Sequence, residues 1–239
     1  MKKNDTIAPF SLFAVPDEGE MRASFVERYV GAICERVLPS LALTTEEQQS
    51  LISLDLKHHE EKLQGFSDGN IGIEEYGEFP GLDDSFGMSL DATKYVEMEF
   101  NILTAHILGL SFAGLFHVFE RQLMTVLHLL NRRCKNTIFD KISEKERHTF
   151  SGYKKLLEKG NYPICGSIET DIDKLRLIAN VIKHGSVKSL KELKNKFPDL
   201  FMRGISVVSS DDMLLTTELL LEISKSISLF WRNFPKNDM

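Results

Sequence analysis

At 239 residues the chain is long enough for one large domain or two small ones, and 42% hydrophobic residues can supply a core. Its net charge of −6 argues against a broad, non-specific nucleic-acid binder but leaves room for a small basic site. Cys34, Cys134 and Cys165 are widely spaced and match no CxxC or Cys/His ligand pattern, so a reducing, cytoplasmic setting is expected. MKKNDTIAPF carries no long apolar segment behind its lysines, and no apolar run reaches the roughly 18 residues of a membrane span. Neither a signal peptide nor a membrane partner is therefore expected.

In chain order, Phe25, Tyr29, Ile33 and Val37 recur at helical spacing between Glu20 and Leu43, and Pro39 is expected to end that helix. Thr44 or Thr45 then caps a second helix, with Glu46 and Glu47 in its first turn. Residues 65–88 are rich in glycine and acids, which is loop composition and predicts a mobile segment. From Ser89 a long proline-free stretch reads as helix, capped by Ser89 or Asp91, with Gly109 and Gly114 as points of bending or breakage. Leu115, Val118, Phe119, Leu123, Val126, Leu127 and Leu130 give it a broad apolar face. HTFSGYKKLLEKG reads as a shorter helix ended by Gly160. Ser167 or Thr170 caps the next, which Gly185 closes. SLKELKNKF is a short basic helix stopped before Pro198, GISVVSS is a short strand or an extended link, and a last helix runs from Asp211 to Phe234. Strands and helices do not alternate, so the expected fold is all-α. The expected division is an N-terminal helical pair with its acidic loop, 1–88, followed by a helical domain, 89–239.

Several polar groups invite a functional reading. His106, His117 and His128 recur every eleven residues and so share a helix face, but neighbours about 16 Å apart along one helix cannot meet at one zinc ion. His58 and Glu61 at i, i+3 read as a solvated face sooner than a metal site. No metal or cofactor is expected, and no P-loop, GxSxG or HExxH motif occurs. LRLIANVIKHGS differs: Arg176, Asn180 and His184 lie at i, i+4, i+8 and share one face, with Lys183 beside them. Helix propensity does not account for the asparagine and the histidine. An ordinary reading stays open, with Lys183 and His184 complementing the helix dipole and Arg176 paired with an acid.

Three segments in order resemble the HEPN superfamily, the helical domains of prokaryotic toxins, abortive-infection proteins and RNA-degrading effectors. LSFAGLFHVFERQLMTVL is similar to the family's early helix with an aromatic–Glu pair, here Phe119-Glu120. FSGYKKLLEKGNYPI is similar to the helix and turn before the active helix, and IDKLRLIANVIKHG to the active helix with its arginine and terminal histidine. In the family's commonest form arginine immediately precedes the asparagine. Here Ala179 holds that position, and the nearest arginine, Arg176, lies one turn earlier.

The resemblance implies a HEPN-like helical bundle and a metal-independent endoribonuclease acting in phage defence or a toxin system. In such enzymes the ribose 2′-OH attacks the adjacent phosphate. Histidine titrates near neutrality and serves as base, while arginine offers a planar donor fork to the phosphorane. The implied catalytic residues are Arg176, Asn180 and His184, with Glu120 supporting. Lys183, Lys188 and Lys191 would contact RNA, together with Lys194 and Lys196. A homodimer would bring two active helices together, and a protein partner encoded nearby is also implied. The alternative is a catalytically silent HEPN-like adaptor that uses the same face for RNA, a nucleotide or a protein. Arg176 beside His184 in one dimer cleft would favour the enzyme, and Arg176 in a surface salt bridge within the chain would favour the adaptor.

Overall fold

A computed structural model describes residues 18–67, 82–134, 137–164, 166–201, 209 and 212–234. The GISVVSS link apart from Ser209 and most of the acidic loop lie outside these residues. Every extended element described is helical, and the β-bridge described, Phe201 with Met213, is isolated. The chain is all-α, as its composition and periodicity predict.

Helix α1 spans Glu18–Ala32 and passes through a π-helical turn, Ile33–Val37, into α2, Leu38–Ser67. Pro39 therefore does not end a helix. A proline inside an α-helix clashes with the carbonyl four residues back and lacks the N–H that would bond it. The wider π turn just before Pro39 re-phases those carbonyls, so helix continues beyond the ring. Thr44 and Thr45 are not caps either: each hydroxyl donates to a carbonyl one turn back, Ser40 and Leu41, both at 2.9 Å. The buried stripe of α1 is Ala23, Val26 and Val30, while Phe25 is 49% exposed.

Helix α3 runs unbroken from Leu82 to Arg133, so neither Ser89 nor Asp91 starts it and neither glycine breaks it. The glycines serve close approach instead. A Cβ on Gly114 would lie 2.1 Å from the Tyr29 hydroxyl, and one on Gly109 would lie 3.1 Å from Ile182 Cδ1. One stretch of this helix, Met98–Arg133, is long and apolar enough to cross a membrane by length and composition. His106, Ser111 and His117 interrupt its apolar run, yet its mean hydropathy over the most apolar 18 residues reaches 1.8. Phe112, Leu115, Phe119, Leu123 and Leu127 of the same stretch are fully buried within the protein, as in a core helix.

Helix α4, Phe150–Lys159, is capped by the Thr149 hydroxyl, which accepts from the Gly152 amide, and ends at Gly160. Helix α5, Gly166–His184, starts before both expected caps; Thr170 sits inside it and donates to the Gly166 carbonyl. Gly185, with φ of 56°, closes α5 in the left-handed conformation that glycine adopts without penalty. Ser186 caps α6, Val187–Lys196, and Thr216 caps α7, Thr217–Arg232, which begins later than expected from Asp211.

The chain divides into two compact units, Cys34–Ile107 and Met1–Ile33 with Leu108–Met239. The boundary expected at residue 88 falls inside α3 and inside the first of these. In that first unit Leu43, Leu51, Leu54, Met98, Ile102 and Leu103 are exposed, and no described side chain is buried. In the second, α1 packs on α7, and α5 packs on both α6 and α7. Its centre is an aromatic cluster in which Phe119 lies 5.4 Å from Phe230 and 5.9 Å from Trp231, ring centre to ring centre. Edge-to-face contacts of this kind add to the large apolar area each ring buries.

Candidate functional site

A cavity of about 930 Å³ opens beside α5. Helix α3 contributes Phe116 and Glu120, and the first turns of α4 contribute Thr149, Phe150, Ser151 and Lys154. The outer face of α5 supplies Glu169, Asp173, Arg176 and Asn180, and the end of α6 closes the cavity with Lys196 and Phe197. The helical spacing of Asp173, Arg176 and Asn180 sets all three on that face, while Leu175 and Ile178 turn into the core. Phe116 and Phe150 meet edge to face at 5.7 Å.

The cations here are already engaged. Arg176 donates from Nε and Nη2 to Asp173 Oδ1 at 3.0 and 2.7 Å, and lies 3.6 Å from Glu192. Lys196 Nζ donates to Asp173 Oδ2 and to Glu192 Oε1, both at 2.8 Å, which clasps α6 to α5. Lys154 pairs with Glu169. Burial raises the Asp173 pKa, but the hydrogen bonds from Lys196 and Arg176 outweigh it and leave the carboxyl below its ordinary value. The bonds that Lys196 donates to Asp173 and Glu192 raise its own pKa.

Glu120 and Asn180 differ from these residues. Neither makes a hydrogen bond or ion pair with a described residue, and both face the cavity. Burial first, and then the negative charge of Glu120, raise the pKa of the Tyr153 phenol. Around the cavity Lys154, Arg176 and Lys196 pair with Glu169, Asp173 and Glu192, and among the described residues Glu120 has no cation of its own.

The structure thus gathers Arg176, Asn180 and Glu120 in one place and leaves His184 out of it. His184 is the last residue of α5, is exposed, and does not line the cavity. Two helical turns separate it from Arg176, about 12 Å along the axis. Lys183, Lys188 and Lys191 are likewise exposed and do not line the cavity. Ala179 is fully buried, with 0% exposure. His106, His117 and His128 are all exposed, and among the described residues no three His, Cys, Asp or Glu side chains converge as metal ligands. Compared with known families, curated proteins and solved structures, the chain shows no match.

Sequence reasoning missed Asp173, Glu192, Lys154 and the three phenylalanines of the wall. The pairs Asp173–Arg176 at i, i+3 and Glu192–Lys196 at i, i+4 are visible in the sequence as helix-surface ion pairs. That the two pairs join into one network depends on α6 folding back along α5.

That network carries a pH dependence. The Asp173 pKa is lowered on folding, so its stabilisation is present above the unfolded carboxylate value near 3.9 and is lost as pH falls through the lower, folded value. Asp173→Asn should therefore reduce stability at neutral pH by about 1 kcal/mol, the scale of a partly exposed pair within a network. The difference from wild type should shrink in strong acid. Urea unfolding at neutral pH and below pH 3 measures both; an undiminished difference in acid would mean that the carboxylate is not the stabilising form.

Proposed function

We propose that the chain is a non-catalytic helical binding module, a HEPN-like adaptor whose ligand enters the cavity beside α5. The observation carrying this reading is the commitment of Arg176 to Asp173 and Glu192, with His184 exposed beyond the cavity. Attack of the ribose 2′-oxygen on phosphorus, with its proton passing to a base and the 5′-oxygen leaving, needs a base and a cation within reach of a single phosphodiester. Here the arginine is neutralised by carboxylates, and the histidine lies about two turns away. The position at which the resemblance expects arginine is Ala179, whose side chain is in the core.

One observation favours the ribonuclease reading. His184, Lys183, Lys188 and Lys191 are all exposed around the end of α5 and the start of α6, where phosphates could reach them. That reading requires two copies of the chain, each supplying a histidine.

The test is an RNA-cleavage assay on total RNA with wild type, His184→Ala and Arg176→Ala, alongside light scattering. We expect no cleavage above buffer from any of the three. His184→Ala should fold normally, because truncating an exposed side chain in the last helical turn typically costs no more than about 1 kcal/mol. Cleavage by wild type that vanishes in a folded His184→Ala variant would replace the adaptor with the ribonuclease, and a dimer would then be expected at micromolar concentration.

A further inference from the structure

We infer that the cavity receives an organic cation: an ammonium or guanidinium group carried on an apolar stem. This deepens the binding-module reading and rests on it. The free charge of the site decides the sign of the ligand. Lys154, Arg176 and Lys196 are each held by a carboxylate, so an incoming anion would have to displace Glu169, Asp173 or Glu192 from its partner. Among the described residues Glu120 has no such partner to displace. A cation entering beside Glu120 completes the charge balance and gives the carboxylate the hydrogen-bond donors it lacks.

The walls suit the same chemistry. Phe116 and Phe150 line the cavity next to Glu120, and ring faces attract cations as well as apolar stems. Phe197 in the same wall already carries a cation, with Lys174 Nζ 5.3 Å from its ring centre. The Asn180 amide, also without a partner, supplies a carbonyl acceptor for a second N–H of the ligand. A volume of about 930 Å³ lies within the roughly 300–1,000 Å³ of ordinary small-ligand sites. Such a group can come from a free amine or from the basic side chain of a protein partner, and the two share this recognition.

Calorimetric titration of the full chain distinguishes these sources. The probes are agmatine, a blocked Gly-Arg-Gly peptide, and inorganic phosphate as the anionic counterpart. Binding of agmatine or of the peptide is expected, with phosphate inert. Tighter binding of agmatine would assign a free amine, and tighter binding of the peptide a protein side chain. Glu120→Gln should weaken the bound cation about tenfold or more, as loss of a charge-assisted hydrogen bond does, without lowering the melting temperature. Asn180→Leu should weaken it less. Glu158→Gln removes an exposed carboxylate of α4 that does not line the cavity, and it should leave binding unchanged. Absence of binding by both cations, equal affinity in Glu120→Gln, or tighter binding of phosphate would each overturn the inference. The binding-module reading fails separately, through His184-dependent RNA cleavage.

Discussion

Ala179→Arg should unfold or severely destabilise the protein, although it recreates the arginine–asparagine pair of the resembled active helix. Ala179 has 0% exposure and lies on the face of α5 that carries Leu175, Ile178 and Ile172 into the core. An arginine there adds a long side chain to a close-packed interior and a charge without a partner. An uncompensated buried charge costs about 3–5 kcal/mol, a large part of the 5–15 kcal/mol that holds an ordinary domain together. Urea unfolding of the purified variant, or its failure to accumulate in soluble form, reads the effect. Near-wild-type stability would mean that α5 can rotate to bring position 179 into the cavity beside Asn180. The ribonuclease reading would then regain its missing cation.

Phe119→Ala should cost about 3–5 kcal/mol, the usual range for deleting a fully buried aromatic ring. Phe119 is fully buried, and its ring meets Phe150, Phe230 and Trp231. The consequence reaches the cavity, because Phe150 is both a neighbour of Phe119 and part of the cavity wall. Loss of the Phe119 ring leaves Phe150 unsupported on its inner side, so cation binding should weaken even where the protein still folds. Chemical denaturation with and without agmatine measures both effects. A loss of stability under 1 kcal/mol would show that the aromatic cluster collapses to fill the space.

Much of the local architecture was legible in the residues themselves. Gly160, Gly185 and the stop before Pro198 mark helix ends through glycine, left-handed at Gly185, and a missing donor, all effects within one turn of chain. The apolar face of α3 from Leu115 to Leu130 follows from period alone, and so does the shared face of Arg176 and Asn180. Where the local signals misled, packing against another helix or a change of helix type decided the outcome. Gly109 and Gly114 look like weak points in an isolated helix, yet Ile182 and Tyr29 press against them and make their small size a packing requirement. Pro39 looks like a stop, yet a π turn ahead of it accommodates the ring.

The sequence by itself determined the helical class, the C-terminal ends of α4, α5 and α6 and the polar face of α5, because these arise from interactions within a few residues. Only the tertiary structure decided what that face does. It brought Glu192 and Lys196 of α6 onto Asp173 and Arg176, which neutralises the arginine. It closed Phe116, Phe150 and Phe197 around the space beside them and left Glu120 and Asn180 without polar partners among the described residues. It also placed Ala179 in the core and His184 beyond the cavity. The physical reason is that charge balance and burial are sums over neighbours, and at this site the neighbours come from four successive helices, α3 to α6, brought together only by the way the chain folds back.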